Sequence, residues 1–393
     1  MNNNVVAVIF SILLAVSSAF VIIGNDGTNA ENRENAKLPQ ISRENIISGA
    51  FAKGTEDYIN DRILYRGEMI DLSDAVLDKV HIKSPDGTVI RANTDMGTGT
   101  KQPSDLLVVD NTIMEMFADK KSCAEEYAHA VNTYAKNLDK DIKLYSMLIP
   151  TQLEFKDKMY SNLQDSQRAE IDYINSLYDK RVQAIDVYDI LAEHTDEYIY
   201  FRTDHHWTMR GAYYGYVGFS KATGQEYVDI DDFKENKIEG FLGYLYSFVR
   251  DKEIEKNPDT IYWYDTNENG NITWQAMAFN KSQKLYNYNS RLFDKTRENY
   301  NFFLSASHPL ACYTNKENAD KKTILLIGDS YINTLVPWLV NNYKNVVIID
   351  PRAYTGDIEV ALSKYEPDEV MLTDYIFTTS FSGVCQKIEG LWK

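Results

Sequence analysis

Cysteine is scarce: Cys123, Cys312 and Cys385 are the only three in a chain of 393 residues. An odd number cannot pair completely within one chain, and no two have the short spacing of a metal-binding pair. The choice left open is between a Cys312–Cys385 disulfide and buried free thiols. Histidine is nearly as rare, six in all, and His81, His129, His194 and His308 stand far apart. The His-rich spacings of zinc sites are therefore missing. Positive charge is short as well, with 41 basic against 58 acidic residues and a formal net charge of −17. That balance excludes a surface that tracks nucleic-acid phosphate or anionic lipid by charge alone. After residue 23 no apolar run is long enough to cross a bilayer, so a membrane attachment has to come from the first residues.

Those first residues supply one. Val5 to Ile23 carries no charge and is interrupted only by Ser11, Ser17 and Ser18; as a helix it would be about 28 Å long, close to the thickness of a bilayer's hydrocarbon core. Two readings fit, an uncleaved anchor or a signal peptide cut after Ser17-Ser18-Ala19. Both place the rest of the chain outside the cytoplasm. The competing reading is a buried N-terminal helix of a cytosolic protein.

At 44% hydrophobic, the chain can build one large domain or two smaller ones. Residues 1–24 are predicted to be the signal or anchor. Residues 25–43 are polar, Asn-rich and without a periodic apolar face, which predicts a linker. Residues 44–105 form an N-terminal extension: Ile46 to Val80 shows helical spacing in pieces, Pro85-Asp86-Gly87 marks a turn, and Thr94 to Ser104 reads as loop. From 106 to 393 short apolar runs alternate with helical periodicity. Strands are predicted at Leu106–Val109, Ile142–Ile149, Val182–Val187, Thr323–Ile327, Val346–Ile349 and Glu369–Leu372. Helices are predicted at Cys123–Leu138, Ser166–Tyr178, Met209–Ala222 with Gly224 as C-cap, Ile332–Tyr343 and Asp357–Tyr365. The alternation predicts an α/β domain, a mostly parallel sheet flanked by helices. Between about 225 and 310 it lapses into Tyr-, Asn- and Lys-rich sequence, such as Ile261-Tyr262-Trp263-Tyr264 and Asn269-Gly270, which predicts an aromatic-rich insertion of hairpins. Tyrosine reaches 28 residues; phenol rings line many carbohydrate sites, but most tyrosines serve the frame.

Two stretches carry chemistry. Thr203-Asp204-His205-His206-Trp207-Thr208 puts a carboxylate and two imidazoles where an extended run, Tyr198 to Phe201, becomes a helix. Gly328-Asp329-Ser330 puts a serine on the turn after a buried strand, at the carboxyl edge of a parallel sheet where α/β ligands gather. A serine needs a base to take its proton, and a carboxylate that orients the imidazole completes a triad. In extended backbone, residues two apart point the same way, so Asp204 and His206 share a face while His205 points elsewhere. His206 is the better base. Each stretch also has a plainer reading: Asp329 or Ser330 caps the helix that follows, and Thr203 or Asp204 caps the other. A metal site on Asp204, His205 and His206 is the remaining alternative.

Asp204-His205-His206-Trp207 together with Gly328-Asp329-Ser330 resembles the DHHW group of the SGNH-hydrolase-like superfamily, related to the alginate O-acetyltransferases. The likeness runs from about Leu106 to Asp374. It extends to Tyr200-Phe201-Arg202-Thr203 and Gly211-Ala212-Tyr213-Tyr214 around the first motif, to Asp350-Pro351-Arg352, and to Pro367-Asp368. The resemblance implies Ser330 as nucleophile, His206 as general base and acid, and Asp204 as its orienter. It implies an oxyanion or substrate-binding set of the Ser330 N–H with Arg352 and Asp374. Asp374 stands where the superfamily has asparagine, and a carboxylate donates no hydrogen bond unless protonated. The order Asp, His, Ser reverses the usual superfamily order, which a triad defined by geometry tolerates.

The function so implied is an extracytoplasmic, membrane-anchored or secreted O-acetyltransferase, with a polysaccharide acceptor, no cofactor and no metal. By analogy a membrane-bound O-acyltransferase supplies the acyl group. The alternatives are a carbohydrate esterase using the same triad and a non-catalytic glycan-binding surface protein.

Overall fold

The structure is a computed structural model that describes residues 38–42, 51, 54, 55, 58, 87–94, 102–267, 270–279, 285–288 and 291–393. The apolar run Val5–Ile23, and most of the expected linker and N-terminal extension, lie outside the described residues. Among the described residues no helix is long and apolar enough to cross a membrane. Contacts divide the chain into two units, residues 1–85 with 247–251 and residues 86–246 with 252–393. In the first, the Thr55 hydroxyl donates to the Phe51 carbonyl at 2.7 Å. The second carries the elements that follow.

Strands β1 (Thr88–Thr94), β2 (Gln102–Val109) and β3 (Thr112–Glu115) form an antiparallel sheet of their own. Asp110 and Asn111 join β2 to β3 with φ of 49° and 58°, the two-residue left-handed turn that suits hairpin twist and that short polar side chains tolerate. This corrects two expectations. The strand expected at Leu106–Val109 exists but does not belong to the parallel sheet, and the loop expected up to Ser104 gives way to strand at Gln102. A four-residue apolar run announces burial without naming its partner strand.

The α/β alternation then runs as expected. Helix α1 (Lys121–Asn137) leads to β4 (Lys143–Ile149), α2 (Gln167–Ser176) to β5 (Val182–Ala184), and α3 (Met209–Thr223) follows the Asp204–Trp207 turn. Gly224 closes α3 at φ 69°, as a left-handed C-cap does. The expected insertion is not set apart from the sheet. β6 (Glu235–Phe241) and β7 (Asp259–Tyr264) do form a separate hairpin, but β8 (Ile272–Phe279) and β9 (Leu285–Tyr288) extend the central sheet. The chain finishes with β10 (Leu310–Asn315), β11 (Thr323–Gly328), α4 (Ile332–Leu339), β12 (Asn345–Ile349), α5 (Ile358–Tyr365), β13 (Glu369–Tyr375) and α6 (Ser382–Glu389).

The central sheet has eight strands in the order β5-β4-β13-β11-β12-β10-β8-β9. The pairs from β5 through β12 are parallel, whereas β10 pairs antiparallel with both β12 and β8, and β8 with β9. The sheet is therefore mixed, parallel on one side and antiparallel on the other. β11 and β13 lie in its middle, and every residue of both is buried, which is why Ile324–Ile327 and Val370–Leu372 read as apolar runs without alternation. From β11 the chain passes through α4 to β12 on one side and returns through α5 to β13 on the other. The carboxyl end of β11 is thus a topological switch point, where open sheets hold their ligands. Cys123, Cys312 and Cys385 are all buried and free, so the disulfide alternative falls away.

Candidate active site

Gly328, Asp329 and Ser330 leave the end of β11 against β13. A side chain at 328 would put its Cβ 1.8 Å from the Thr373 carbonyl oxygen, so only glycine lets the two strands approach this closely. Asp329 then turns the chain. Its Oδ1 accepts from the Tyr331 N–H at 2.8 Å, and its Oδ2 accepts from the Tyr375 N–H at 2.9 Å and the Thr378 hydroxyl at 3.0 Å. Asp329 thus braces the turn between β11 and α4, and Ser330 Oγ is left for other work. No side chain caps α4 itself, whose flanking residue is Tyr331.

The second stretch is a turn with paired stems. Tyr200 bridges Trp207, the Phe201 N–H donates to the His206 carbonyl at 3.2 Å, and the Thr208 N–H donates to that of Ile199 at 2.9 Å. The cap of α3 is Thr208, whose hydroxyl accepts from the Gly211 N–H at 3.2 Å, and not Thr203 or Asp204. Thr203 is instead held by the fully buried Asp259, whose Oδ2 accepts from its N–H at 2.7 Å and its hydroxyl at 2.6 Å. Asp259 also accepts from the Tyr198 hydroxyl at 2.5 Å and the Arg202 Nε at 3.2 Å. The segment after β6 closes over the turn: the Gly243 N–H donates to the Thr203 hydroxyl at 2.9 Å and the Tyr244 N–H to Asp204 Oδ2 at 2.8 Å. A Cβ at 243 would come within 2.3 Å of the Asp204 Cβ, so glycine is again required by close approach.

These two turns meet. Ser330 Oγ lies 2.7 Å from His206 Nε2, and His206 Nδ1 lies 2.5 Å from Asp204 Oδ1. Asp204 and His206 are each 5% exposed, which removes competing water from both bonds. Burial alone would raise the Asp204 carboxyl. The facing imidazoles of His206 and His205, with the hydrogen bonds from His206 and the Tyr244 N–H, outweigh it and hold the group well below its ordinary value. Asp204 is therefore a carboxylate, His206 Nδ1 carries the proton between them, and Nε2 accepts from the serine hydroxyl.

His206 is sandwiched. The Tyr300 ring lies 3.6 Å away at 11°, and the His205 ring 3.9 Å away at 33°; two rings this close must occupy opposite faces. The Tyr300 hydroxyl donates to the Ser330 carbonyl at 2.9 Å. His205 therefore does not turn away from the site, as two-residue alternation suggested, but walls it. Its Nδ1 stands 3.8 Å from Asp204 Oδ1, too far for a hydrogen bond, and burial with the neighbouring His206 pushes the imidazole down to about 3. Trp207 is fully buried and its Nε1 donates to the Tyr331 carbonyl at 3.0 Å, a strut between the turns.

Asp204, His205 and His206 offer ligand atoms within 4.8 Å of one another. Both ring nitrogens of His206 are, however, engaged by Asp204 and Ser330.

The remaining two residues expected at the site are brought near Asp329 and do not border the cavity beside His206. Arg352 is taken up by Asp350, with Nε to Oδ1 at 2.9 Å and Nη2 to Oδ2 at 2.8 Å, which is the loop ion pair that arginine commonly makes. Asp374 is fully buried and its Oδ2 accepts from the Tyr127 hydroxyl at 2.9 Å. Burial and the adjacent Asp329 push its carboxyl well above the usual range. That shift favours the protonated form, the one state in which an aspartate donates.

Tyr244, Asp259 and Tyr300 were not expected at the site. All three come from the segment read as an insertion, and no local motif marks them.

The family model described as DHHW protein matches residues 19–349. A DHHW family protein from Eubacterium siraeum has a similar structure, with 21% identity, TM-score 0.64, and coverage of 77% of this chain and 98% of that one. Bacillus cereus PatB1, solved with a sulfonyl adduct, is similar at 18% identity and TM-score 0.57, over 70% of this chain and 97% of that one. A looser likeness, 13% identical with TM-score 0.41 over 72% and 97%, is to the O-acetyltransferase domain of Pseudomonas putida AlgJ. No curated protein matches the sequence.

Proposed function

The chain belongs to the DHHW family, and on that footing we propose that it is an extracytoplasmic, serine-dependent O-acetyltransferase acting on a cell-surface or secreted polysaccharide. The observation that carries the proposal is the pair of hydrogen bonds from Ser330 Oγ to His206 Nε2 at 2.7 Å and from His206 Nδ1 to Asp204 at 2.5 Å. His206 takes the hydroxyl proton as Ser330 Oγ attacks the carbonyl carbon of an acyl ester. The tetrahedral intermediate collapses, His206 returns the proton to the departing alcohol, and Ser330 holds the acyl group. A sugar hydroxyl, deprotonated by the same nitrogen, then attacks the acyl-serine and frees the enzyme. Asp204, kept ionised, stabilises the imidazolium in both halves.

The oxyanion needs donors. Among the described residues no hydrogen bond engages the Ser330 N–H, which supports it as the first of them. Asp374 and Arg352 lie near Asp329, where Asp374 accepts from Tyr127 and Arg352 donates to Asp350. The uncharged run Val5–Ile23 supports export, and the resemblance to the alginate O-acetyltransferases supports a glycan acceptor and a membrane-bound O-acyltransferase as acyl supplier.

Transferase and esterase share the acyl-enzyme and differ only in the acceptor. Incubating the full chain with an acetylated model ester, with and without oligosaccharides, separates them. Acetyl transfer to an oligosaccharide at the expense of hydrolysis is the expected result. Hydrolysis indifferent to every acceptor would make the protein a deacetylase, and no turnover of any ester would leave a binding protein.

A further inference from the structure

Beside His206 lies a small pocket of about 10 Å³ bordered by Glu115, Gln152, Asp204, His205 and His206. Four buried polar atoms there have no hydrogen-bond partner: both oxygens of Glu115, Oε1 of Gln152 and Nδ1 of His205. Glu115 is the last residue of β3 and only 4% exposed. Leaving such atoms unpaired in a buried site is unfavourable, because each has given up its water without gaining a partner. A water needs room of about 10–15 Å³ and two to four polar partners, and this pocket provides both.

We propose that the pocket is a one-water site that ties Glu115 and Gln152 to His205, and that Glu115 is thereby a positioning residue for the Asp204–His206 pair. The inference rests on the acyl-transfer reading of that pair. One water serves three of the four atoms: it accepts from the Glu115 carboxylic acid and donates to His205 Nδ1 and to Gln152 Oε1, and only the acid's carbonyl oxygen stays unpaired. Burial, with Asp204 nearby, pushes the Glu115 carboxyl up to about 8, so the acid proton is present at neutral pH. The titratable groups around it are Asp204, His205 and His206 on the turn, Tyr200 on its stem, Tyr331 before α4 and Tyr375 at the end of β13.

The consequence concerns one oxygen. His205 Nδ1 is 3.8 Å from Asp204 Oδ1, the atom that receives His206 Nδ1 at 2.5 Å. A proton on His205 Nδ1 would compete for that oxygen, and a charged His205 would oppose the imidazolium that His206 must become 3.9 Å away. A donor at His205 Nδ1 prevents both. Loss of the Glu115 proton would oblige the water to donate to the carboxylate and leave His205 or Gln152 unserved.

The test is read first without catalysis. In full-length Ser330→Ala protein labelled with ¹³C-glutamate and ¹⁵N-histidine, one glutamate carboxyl should titrate near pH 8, and the His205 Nδ1 resonance should shift with the same midpoint. Both changes should vanish in the Glu115→Gln, Ser330→Ala double variant. In the active protein, Glu115→Ala should lower kcat on the order of tenfold through misplacement of the pair. Glu115→Gln should recover most of that loss and lack the wild-type inflection near pH 8. Absence of a glutamate titrating near 8, or a His205 nitrogen indifferent to it, overturns the proposal. If both resonances respond and wild type turns over no ester, the water site stands and the acyl-transfer reading falls.

Discussion

Tyr300 lies flat on His206, ring centroids 3.6 Å apart and planes 11° from parallel, while its hydroxyl donates to the carbonyl of Ser330. One residue thus grips both the base and the backbone of the nucleophile. The stack fixes the imidazole plane and gains strength when His206 becomes a cation. Tyr300→Phe removes one neutral hydrogen bond, worth about 1 kcal/mol, and should cost kcat/KM about fivefold. Tyr300→Ala frees the ring and should cost about a hundredfold. Steady-state hydrolysis of an acetyl ester measures both; equal losses would show that the ring face does not matter.

The two imidazoles should separate cleanly. His206→Ala removes the group bonded to both Ser330 and Asp204 and should lower kcat on the order of ten-thousandfold or more. His205→Ala removes a wall and should cost far less. A fluorophosphonate or sulfonyl fluoride probe should label wild type and His205→Ala, and should fail on Ser330→Ala and His206→Ala. Labelling that survives Ser330→Ala would move the nucleophile elsewhere.

The partners of these imidazoles differ in how far the sequence announces them. Asp204 and His206 are two apart on an extended turn, and Ser330 follows a buried apolar run, so spacing and the strand-end rule together point to all three. The parallel strands β11, β12 and β13 are legible for a related reason, because strands covered on both faces lose the polar alternation that blurs other strands. Asp259, Tyr244 and Tyr300 act through contacts far apart in sequence, from 30 residues for Tyr300 with Ser330 to 61 for Asp259 with Tyr198 and further for Tyr300 with His206, and neither composition nor period encodes such contacts. Tyr244 serves through its backbone N–H, which any residue but proline supplies. The placement of β2 outside the parallel sheet, and of β8 and β9 inside the central one, was hidden for the same reason. A strand's pattern reports which faces are buried, not which edge it pairs with.

Asp259 is the anchor on which the Asp204 turn depends. Fully buried, it accepts from the backbone and hydroxyl of Thr203, the backbone and guanidinium of Arg202, and the hydroxyl of Tyr198. Asp259→Ala leaves these donors without that acceptor, the Arg202 guanidinium keeping only the carbonyls of Asn257 and Pro258, and should destabilise the fold by about 3–5 kcal/mol. Urea unfolding followed by fluorescence measures it. A loss below about 1 kcal/mol would mean that the turn holds its shape without this clamp.

Acid and base should act on the fold through different carboxyls. Asp204 is held below its ordinary 3.8, so its contribution is present above that value and is lost as pH falls through the lower folded-state value. Glu115 is the opposite case, raised from 4.5 to about 8. Between those two values the unfolded chain has released the proton and the folded chain keeps it, so stability falls as pH rises across the window and levels off above it. Asp329 and Asp374 are raised as well, so the wild-type slope alone identifies no single group. The difference between wild type and Glu115→Gln does, because glutamine cannot titrate. At pH 5 the two should differ only by what the amide changes in packing and hydrogen bonding. By pH 8 the variant should have gained on wild type, in urea unfolding curves taken at each pH. A difference that stays constant from pH 5 to 8 would mean that Glu115 ionises in the folded protein as an ordinary carboxyl does, and that the pocket is wetter than its walls imply.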